Sequence, residues 1–307
     1  MCPNDSRKGE TNGCEPRDRV QRGGQIPSPL LCAAWSRFAA WALAAAATAP
    51  ISAPVDVPPV TRRYEPIFNV PPVVIATVAV LLAVHAVRML VLSDRQDIQF
   101  LLAFAFIPAR YGGSAVGSLP GGFGANLWTF FTYAFIHADL VHIGLNLAWL
   151  LPFGTALARR FGSWRFILFM LATAAAGAFA HLLSHPGEMV PMIGASAAIS
   201  GAMAAAMRFV LQQGGPLVRR SESDAERFHL PAASLSATLR DPRFLIFLGV
   251  WIGLNALFGL GTISLAGEDG QEIAWQAHIG GFLAGLLLFN AFDPVAPHGK
   301  LDTSQGV

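Results

Sequence analysis

Residues 192–207 of this chain form a stretch that reads MIGASAAISGAMAAAM. It is almost entirely small and apolar, and its alanines and glycines allow a helix to pack very closely against its neighbours. It also contains two serines, Ser196 and Ser200. Two hypotheses for Ser196 follow from the pattern. It is either a small residue at a helix contact or a nucleophile placed inside a membrane.

Composition favours a membrane protein. The chain has 307 residues, of which 53% are hydrophobic and 13% are charged, whereas soluble globular chains carry about 25% charged residues. The net charge of +2 is too small to indicate a nucleic-acid partner. All three cysteines lie within the first 32 residues, and they match neither a disulfide framework nor a zinc-binding spacing.

Six stretches are long and apolar enough to be membrane-spanning helices, which need about 20 residues each. They are residues 73–92, 138–157, 164–184, 193–211, 244–263 and 274–292. We therefore predict an all-α polytopic membrane protein built as a bundle of six transmembrane helices. Three regions are expected along the chain: a disordered or linker extension (1–63), the six-helix membrane domain (64–293) and a short cytoplasmic tail (294–307).

The distribution of basic residues predicts the orientation of the bundle. Arg159 and Arg160 lie between the second and third spans, and arginines are frequent in the N-terminal arm and between the fourth and fifth spans. The connections 185–192 and 264–273 contain neither lysine nor arginine. Because cytoplasmic loops carry the excess of basic residues, we expect both termini in the cytoplasm. The acidic residues near the N-terminus argue against a transit peptide, so we expect the inner (plasma) membrane of a bacterial cell.

Three of the predicted spans carry polar side chains near their expected outer ends. The second, fourth and sixth spans all run from outside to inside, so these side chains are expected at one depth. They are His142 and Asn146, Ser196, and His278. Taken singly, each has an alternative role, because polar residues often join helices by hydrogen bonds and serine often caps a helix.

Together, the four residues include the groups that an acyl-transfer site needs: a nucleophile, a base and oxyanion donors. Ser196 needs a neighbouring base to become nucleophilic, and His278 can supply it. His142, Asn146 and the backbone N–H of Ser196 can donate to an oxyanion. The six spans contain one carboxylate, Asp139, which lies only at the edge of the second span. This argues against an aspartyl mechanism and leaves His278 without an evident acid to orient it. A Ser-His dyad is therefore expected rather than a triad.

A metal site is not indicated by the histidines. The spacing of His137 and His142 does not put both rings on one helical face, and the sequence contains no HExxH motif. In the sixth span, Gly281 and Gly285 share a face with His278. A helix that packs on these two glycines is therefore expected to meet His278 at its outer end.

These motifs together resemble the rhomboid family of intramembrane serine proteases. The resemblance covers roughly residues 64–292 and rests on HADLVHIGLN in the second span, GAS at the start of the fourth and AHIGGFLAG in the sixth. It implies cleavage of single-span transmembrane substrates within the lipid bilayer, without a metal or cofactor. It also implies roles for four residues: Ser196 as nucleophile, His278 as general base, and His142 with Asn146 as oxyanion donors.

The sequence departs from the family pattern at three places. The family usually has glycine after the nucleophile, where this chain has Ala197, and often has an aromatic ring four residues after it, where this chain has Ser200. The first outer loop has Trp128-Thr129 in place of Trp-Arg. An alternative is therefore a catalytically weak or inactive rhomboid-like protein that binds transmembrane helices. A small transporter or channel would instead need polar groups that cross the whole bilayer.

Overall fold

A computed structural model describes residues 70–112, 119–212, 215–217, 227–259 and 274–295. Within these residues the regular structure is helical, and the single β-bridge joins Phe106 to Met192. The predicted extension 1–63 lies outside the described residues, and so does the predicted tail from residue 296 onward.

The described residues form a helical bundle, which confirms the predicted all-α fold. The six predicted spans overlap α1, α4, α5, α6, α8 and α9, and residues 260–263 of the fifth span lie outside the described residues. The chain order is α1 (Pro72–Leu90), α2 (Asp94–Phe104), α3 (Gly122–Thr132), α4 (Leu140–Phe161), α5 (Ser163–Ser184), α6 (Ser196–Val210), α7 (Leu235–Thr238), α8 (Pro242–Gly259) and α9 (Trp275–Phe292). Two short 3-10 turns, Pro108–Tyr111 and Tyr133–Phe135, flank α3.

The outer surface of the bundle is that of an integral membrane protein. By length and composition, α1, α4 and α5 are able to cross a bilayer, and α6 and most of α8 are shorter apolar helices. Large apolar side chains are exposed on the outer faces of the helices, for example Leu82, Trp149, Phe179, Ile246 and Leu283. Water-soluble proteins seldom expose contiguous apolar surface of this kind, whereas lipid chains accommodate it.

Helix α6 is the centre of the bundle, because every residue from Ala197 to Val210 is buried. Helix α9 lies directly against it through the predicted glycine pair. A Cβ atom on Gly281 would collide with the carbonyl group of Ala197, and one on Gly285 would collide with the backbone of Gly201. The two backbones therefore touch without intervening side chains, as the glycine spacing predicted.

The described parts of the connection between α1 and α4, residues 91–112 and 119–139, are held together by hydrogen bonds and are here called the cap. The indole N–H of Trp128 donates to the carbonyl of Ala103 (2.9 Å), and the buried Arg110 guanidinium donates to the carbonyl of Leu102 (2.6 Å). Phe106 and Met192 exchange backbone hydrogen bonds of 3.1 and 2.8 Å. The cap is thus joined to the segment that leads into α6.

Two buried arginines form hydrogen bonds at the end of the bundle where α4 and α6 finish. The Arg160 guanidinium at the end of α4 donates to both carboxylate oxygens of Asp293 (2.9 and 2.8 Å) and to the carbonyl of Phe228 (2.7 Å). Arg208 near the end of α6 donates to the carbonyl of Ala233 (2.8 Å). These bonds link the ends of α4 and α6 to the chain that precedes α7 and to the residue after α9.

Candidate active site

A glycine turn positions Ser196 as the first residue of α6. Gly194 has φ +117°, a conformation that L side chains rarely adopt, and its N–H donates to the carbonyl of Tyr133 (3.0 Å). The helix therefore begins at Ser196 rather than at residue 193, where the apolar stretch begins. The first N–H groups of a helix lack intrahelical partners, and the positive end of the helix dipole lies there. Both features favour negative charge beside Ser196.

The Ser196 hydroxyl contacts the imidazole of His278. The distance from Ser196 Oγ to His278 Nε2 is 2.7 Å, which is a hydrogen bond. His278 lies in the first turn of α9, and the close packing of α9 on α6 brings the two side chains together across 82 residues of sequence. The structure thus joins two of the four predicted site residues directly.

Asn255 of α8 holds the other side of the His278 ring, and the sequence argument missed it. The distance from its Oδ1 to His278 Nδ1 is 2.6 Å, and its Nδ2 donates to the carbonyl of Trp251 (2.8 Å). The predicted spans offered no carboxylate that could orient His278, whereas the structure provides an amide. A signal was available, because Asn255 is the only polar side chain between residues 244 and 258.

His142 lies beside the turn at Gly194. Asp139 caps α4 by accepting from the His142 N–H (2.8 Å), and His142 Nδ1 accepts from the N–H of Ala138 (3.3 Å). Since Nδ1 is an acceptor, Nε2 carries the hydrogen in the neutral ring. The position of a Cβ atom on Gly194 lies 2.7 Å from this Nε2 and 3.6 Å from Ser196 Oγ. A donor is therefore available on the side of the turn where Ser196 lies.

Asn146 lies one helical turn further along α4 than His142. Its Nδ2 donates to the carbonyl of His142 (2.9 Å), so one amide hydrogen is directed along its own helix. Its Oδ1 is buried and has no hydrogen-bond partner among the described residues. The structure therefore links Asn146 to the backbone of His142 by a hydrogen bond.

His137 supports the turn before Ser196. Its ring lies edge-on to that of His142, with centroids 5.1 Å apart, and its Nε2 accepts from the N–H of Ala195 (3.4 Å). Burial, reinforced by the nearby His142 and His85, lowers the pKa of His137 to about 3. Helical spacing predicts that the two rings lie on different faces, but α4 begins at Leu140, so helical geometry does not apply to His137.

The structure has space for the methyl group that Ala197 adds after the serine. A Cβ atom on Gly177 of α5 would stand 2.5 Å from the Ala197 Cβ and 2.8 Å from the carbonyl oxygen of Ala277. The absence of a side chain at Gly177 therefore provides the space that Ala197 fills. Ser200, one turn further along α6, is buried.

Comparison with known proteins agrees with this architecture. The sequence model for the Rhomboid domain matches residues 124–292, just over half of the chain. The chain belongs to the rhomboid family. Among the curated relatives, Rhomboid protease GluP of Bacillus subtilis (strain 168) is 34% identical over 84 residues, which cover 27% of this chain and 16% of GluP. Rhomboid protease GlpG of Haemophilus influenzae is 24% identical over 165 residues, which cover 53% of this chain and 68% of GlpG.

The matched rhomboid domain contains every residue of the candidate site. It includes α4 through α9, and therefore Ser196, His278 and Asn255 together with His142 and Asn146. Helices α1 and α2 precede it. The rhomboid match and the hydrogen-bonded site thus lie in the same part of the chain.

Proposed function

We propose that this rhomboid-family chain is an intramembrane serine endopeptidase, with Ser196 as the nucleophile and His278 as the general base. The observation that carries the proposal is the 2.7 Å hydrogen bond between Ser196 Oγ and His278 Nε2. A serine hydroxyl is a weak nucleophile until an adjacent base accepts its proton. A neutral imidazole with an unprotonated Nε2 facing the hydroxyl meets that requirement.

The proposed reaction has two stages. In the first, the Ser196 oxygen bonds to the carbonyl carbon of a substrate peptide while His278 accepts the hydroxyl proton. The peptide C–N bond then breaks, and His278 returns the proton to the leaving amine. In the second stage, His278 removes a proton from a water molecule that attacks the acyl-enzyme. The ester bond between the acyl group and Ser196 Oγ then breaks, and His278 returns the proton to Ser196 as the acid product leaves.

Negative charge on the carbonyl oxygen needs donors in both stages. The backbone N–H of Ser196 and the Nε2–H of His142 are proposed for this role, because His142 lies next to the Gly194 turn. We propose Asn146 as a further donor through the amide hydrogen that does not bond to the carbonyl of His142. Removal of one such donor in other enzymes costs about 2.7–4 kcal/mol of transition-state stabilisation.

The proposed substrates are single-span transmembrane proteins, which reach the site through the bilayer. A substrate helix has to unwind locally before its peptide bond can contact Ser196, so helix-weakening residues near the cut favour cleavage. We further propose that 64–293 forms the protease domain and that both termini lie in the cytoplasm of a bacterial cell. The site would then lie near the outer face of the plasma membrane.

Cleavage of a single-span model substrate in lipid vesicles tests the proposal. We expect the parent protein to cut the substrate and the Ser196→Ala and His278→Ala variants to lose nearly all activity. Ser200→Ala is the matched control, since it removes a hydroxyl from the same helix, and it should retain cleavage. A folded parent that neither cuts nor reacts with a fluorophosphonate would support the inactive helix-binding alternative. Equal cleavage by the parent and Ser196→Ala would also contradict the proposal.

A further inference from the structure

We propose that Asn255 is a positioning residue that fixes the orientation and the tautomer of the His278 ring. This inference rests on the proposed function, because it concerns the base of the same reaction. It adds α8 to the elements that build the site, which α6, α9 and α4 otherwise supply. The carrying observation is the pair of hydrogen bonds on the Asn255 amide, one to His278 and one to the backbone of its own helix.

These two bonds are compatible with one placement of the hydrogens on the Asn255 amide and the His278 ring. The carbonyl of Trp251 is only an acceptor, so the amide group facing it is the NH2 of Asn255. The amide oxygen therefore faces His278 Nδ1 at 2.6 Å, and Nδ1 has to carry a hydrogen in order to donate to it. In a neutral ring with a protonated Nδ1, Nε2 has a free lone pair. That lone pair faces the Ser196 hydroxyl.

The contacts of α8 with α9 continue in one stripe that ends at Asn255. Trp251 stacks on Phe282 with ring centroids 4.3 Å apart, and the Phe244 ring lies 6.5 Å from the same ring. Phe282 is one helical turn from His278, as Trp251 is from Asn255. Most other described side chains of α8 are exposed or half-buried. Correct placement of His278 therefore depends on the docking of α8 against α9.

The position on α6 one turn after Ser196 provides no ring to hold His278 instead. The residue one turn after Ser196 is Ser200, which has no aromatic surface to stack on an imidazole. Orientation of the ring by a hydrogen bond from α8 is consequently more important here than it would be beside a large side chain at that position.

Kinetics of two Asn255 variants test the inference. Asn255→Leu has a similar size but no acceptor. We expect kcat to fall by about 10- to 100-fold, the cost typical of removing the hydrogen-bond partner that orients a metal-bound histidine, with KM little changed. Asn255→Asp keeps the acceptor and should restore most of kcat. Its carboxylate stabilises the protonated ring, so the acidic limb of the pH profile of kcat/KM should move to higher pH. Leu254→Ala, on the exposed side of the same helix, is the matched control.

A second measurement does not depend on activity. We expect the ¹⁵N spectrum of ring-labelled protein in lipid to show His278 protonated at Nδ1, with assignment from the loss of the signal in His278→Ala. In Asn255→Leu the ring should shift toward a mixture of tautomers. A parent ring protonated at Nε2 would overturn the inference, and so would an unchanged kcat in Asn255→Leu. Failure of the parent to cut, with the expected spectrum, would overturn the proposed function alone.

Discussion

A methyl group on Gly281 tests how the packing of α9 on α6 builds the site. A Cβ atom there would stand 2.7 Å from the carbonyl carbon of Ala197, whereas nonbonded carbon atoms pack best at about 3.5–4.0 Å. The two helices therefore have to separate by roughly 1 Å. A separation of that size stretches the 2.7 Å bond between Ser196 and His278 beyond the range of a hydrogen bond.

The expected result for Gly281→Ala is a large loss of activity with a moderate loss of stability. Displacement of reacting groups by about 1 Å costs on the order of 100-fold in rate, so kcat/KM in the vesicle assay should fall by that factor. Overpacking of a tight contact costs about 1–3 kcal/mol of unfolding free energy. A Gly281→Ala protein that cuts the substrate within twofold of the parent rate would refute the prediction that helix separation disrupts the site.

Gly253→Ala on α8 provides the matched control for Gly281→Ala. A Cβ atom at Gly253 would meet nothing within 4 Å. The substitution has the same chemistry in a helix and raises helix propensity by about 1 kcal/mol. We therefore expect unchanged cleavage and equal or higher stability, measured by thermal unfolding in detergent.

Three further predictions concern stability in detergent. Asp293→Asn removes the negative charge that pairs with the buried Arg160 cation, so unfolding free energy should fall by about 3–5 kcal/mol; a loss below 1 kcal/mol would contradict this. Gly177→Ala should destabilise the protein through its collision with the Ala197 methyl, and Ala197→Gly should restore part of the loss in a double-mutant cycle. Since His137 has a pKa of about 3 in the folded protein and about 6.5 unfolded, its contribution makes stability fall as pH decreases between these values. His137→Gln should flatten that fall, and an unchanged slope would count against it.

The helices and their closest contact could be predicted from the sequence, because they follow from the local pattern of apolar residues and glycines. Six apolar stretches of about 20 residues predict six helices, because a bilayer requires that length and internal backbone bonding. The spacing of Gly281 and Gly285 predicted the close approach of α9 to another helix. Because a closely packed partner is needed to bring distant residues together, the same glycines pointed to contact between His278 and Ser196.

Contacts that depend on how separate helices face one another could not be predicted from the sequence. Asn255 contacts His278 because α8 packs that face against α9. The partner of a single asparagine in an apolar run cannot be identified from the sequence. The space for Ala197 comes from Gly177 on another helix, so the departure at Ala197 could not be evaluated from its own neighbourhood. The position of His137 depended on where α4 begins, and the Asp139 cap sets that boundary.

The most direct test of the account is the rate and position of covalent labelling by a fluorophosphonate, measured by peptide mass spectrometry of the protein in lipid. We predict a single adduct on Ser196 and a loss of nearly all labelling in His278→Ala, because a neighbouring base is needed to make that hydroxyl reactive. Labelling of His278→Ala at the parent rate, or an adduct on a residue other than Ser196, would contradict it.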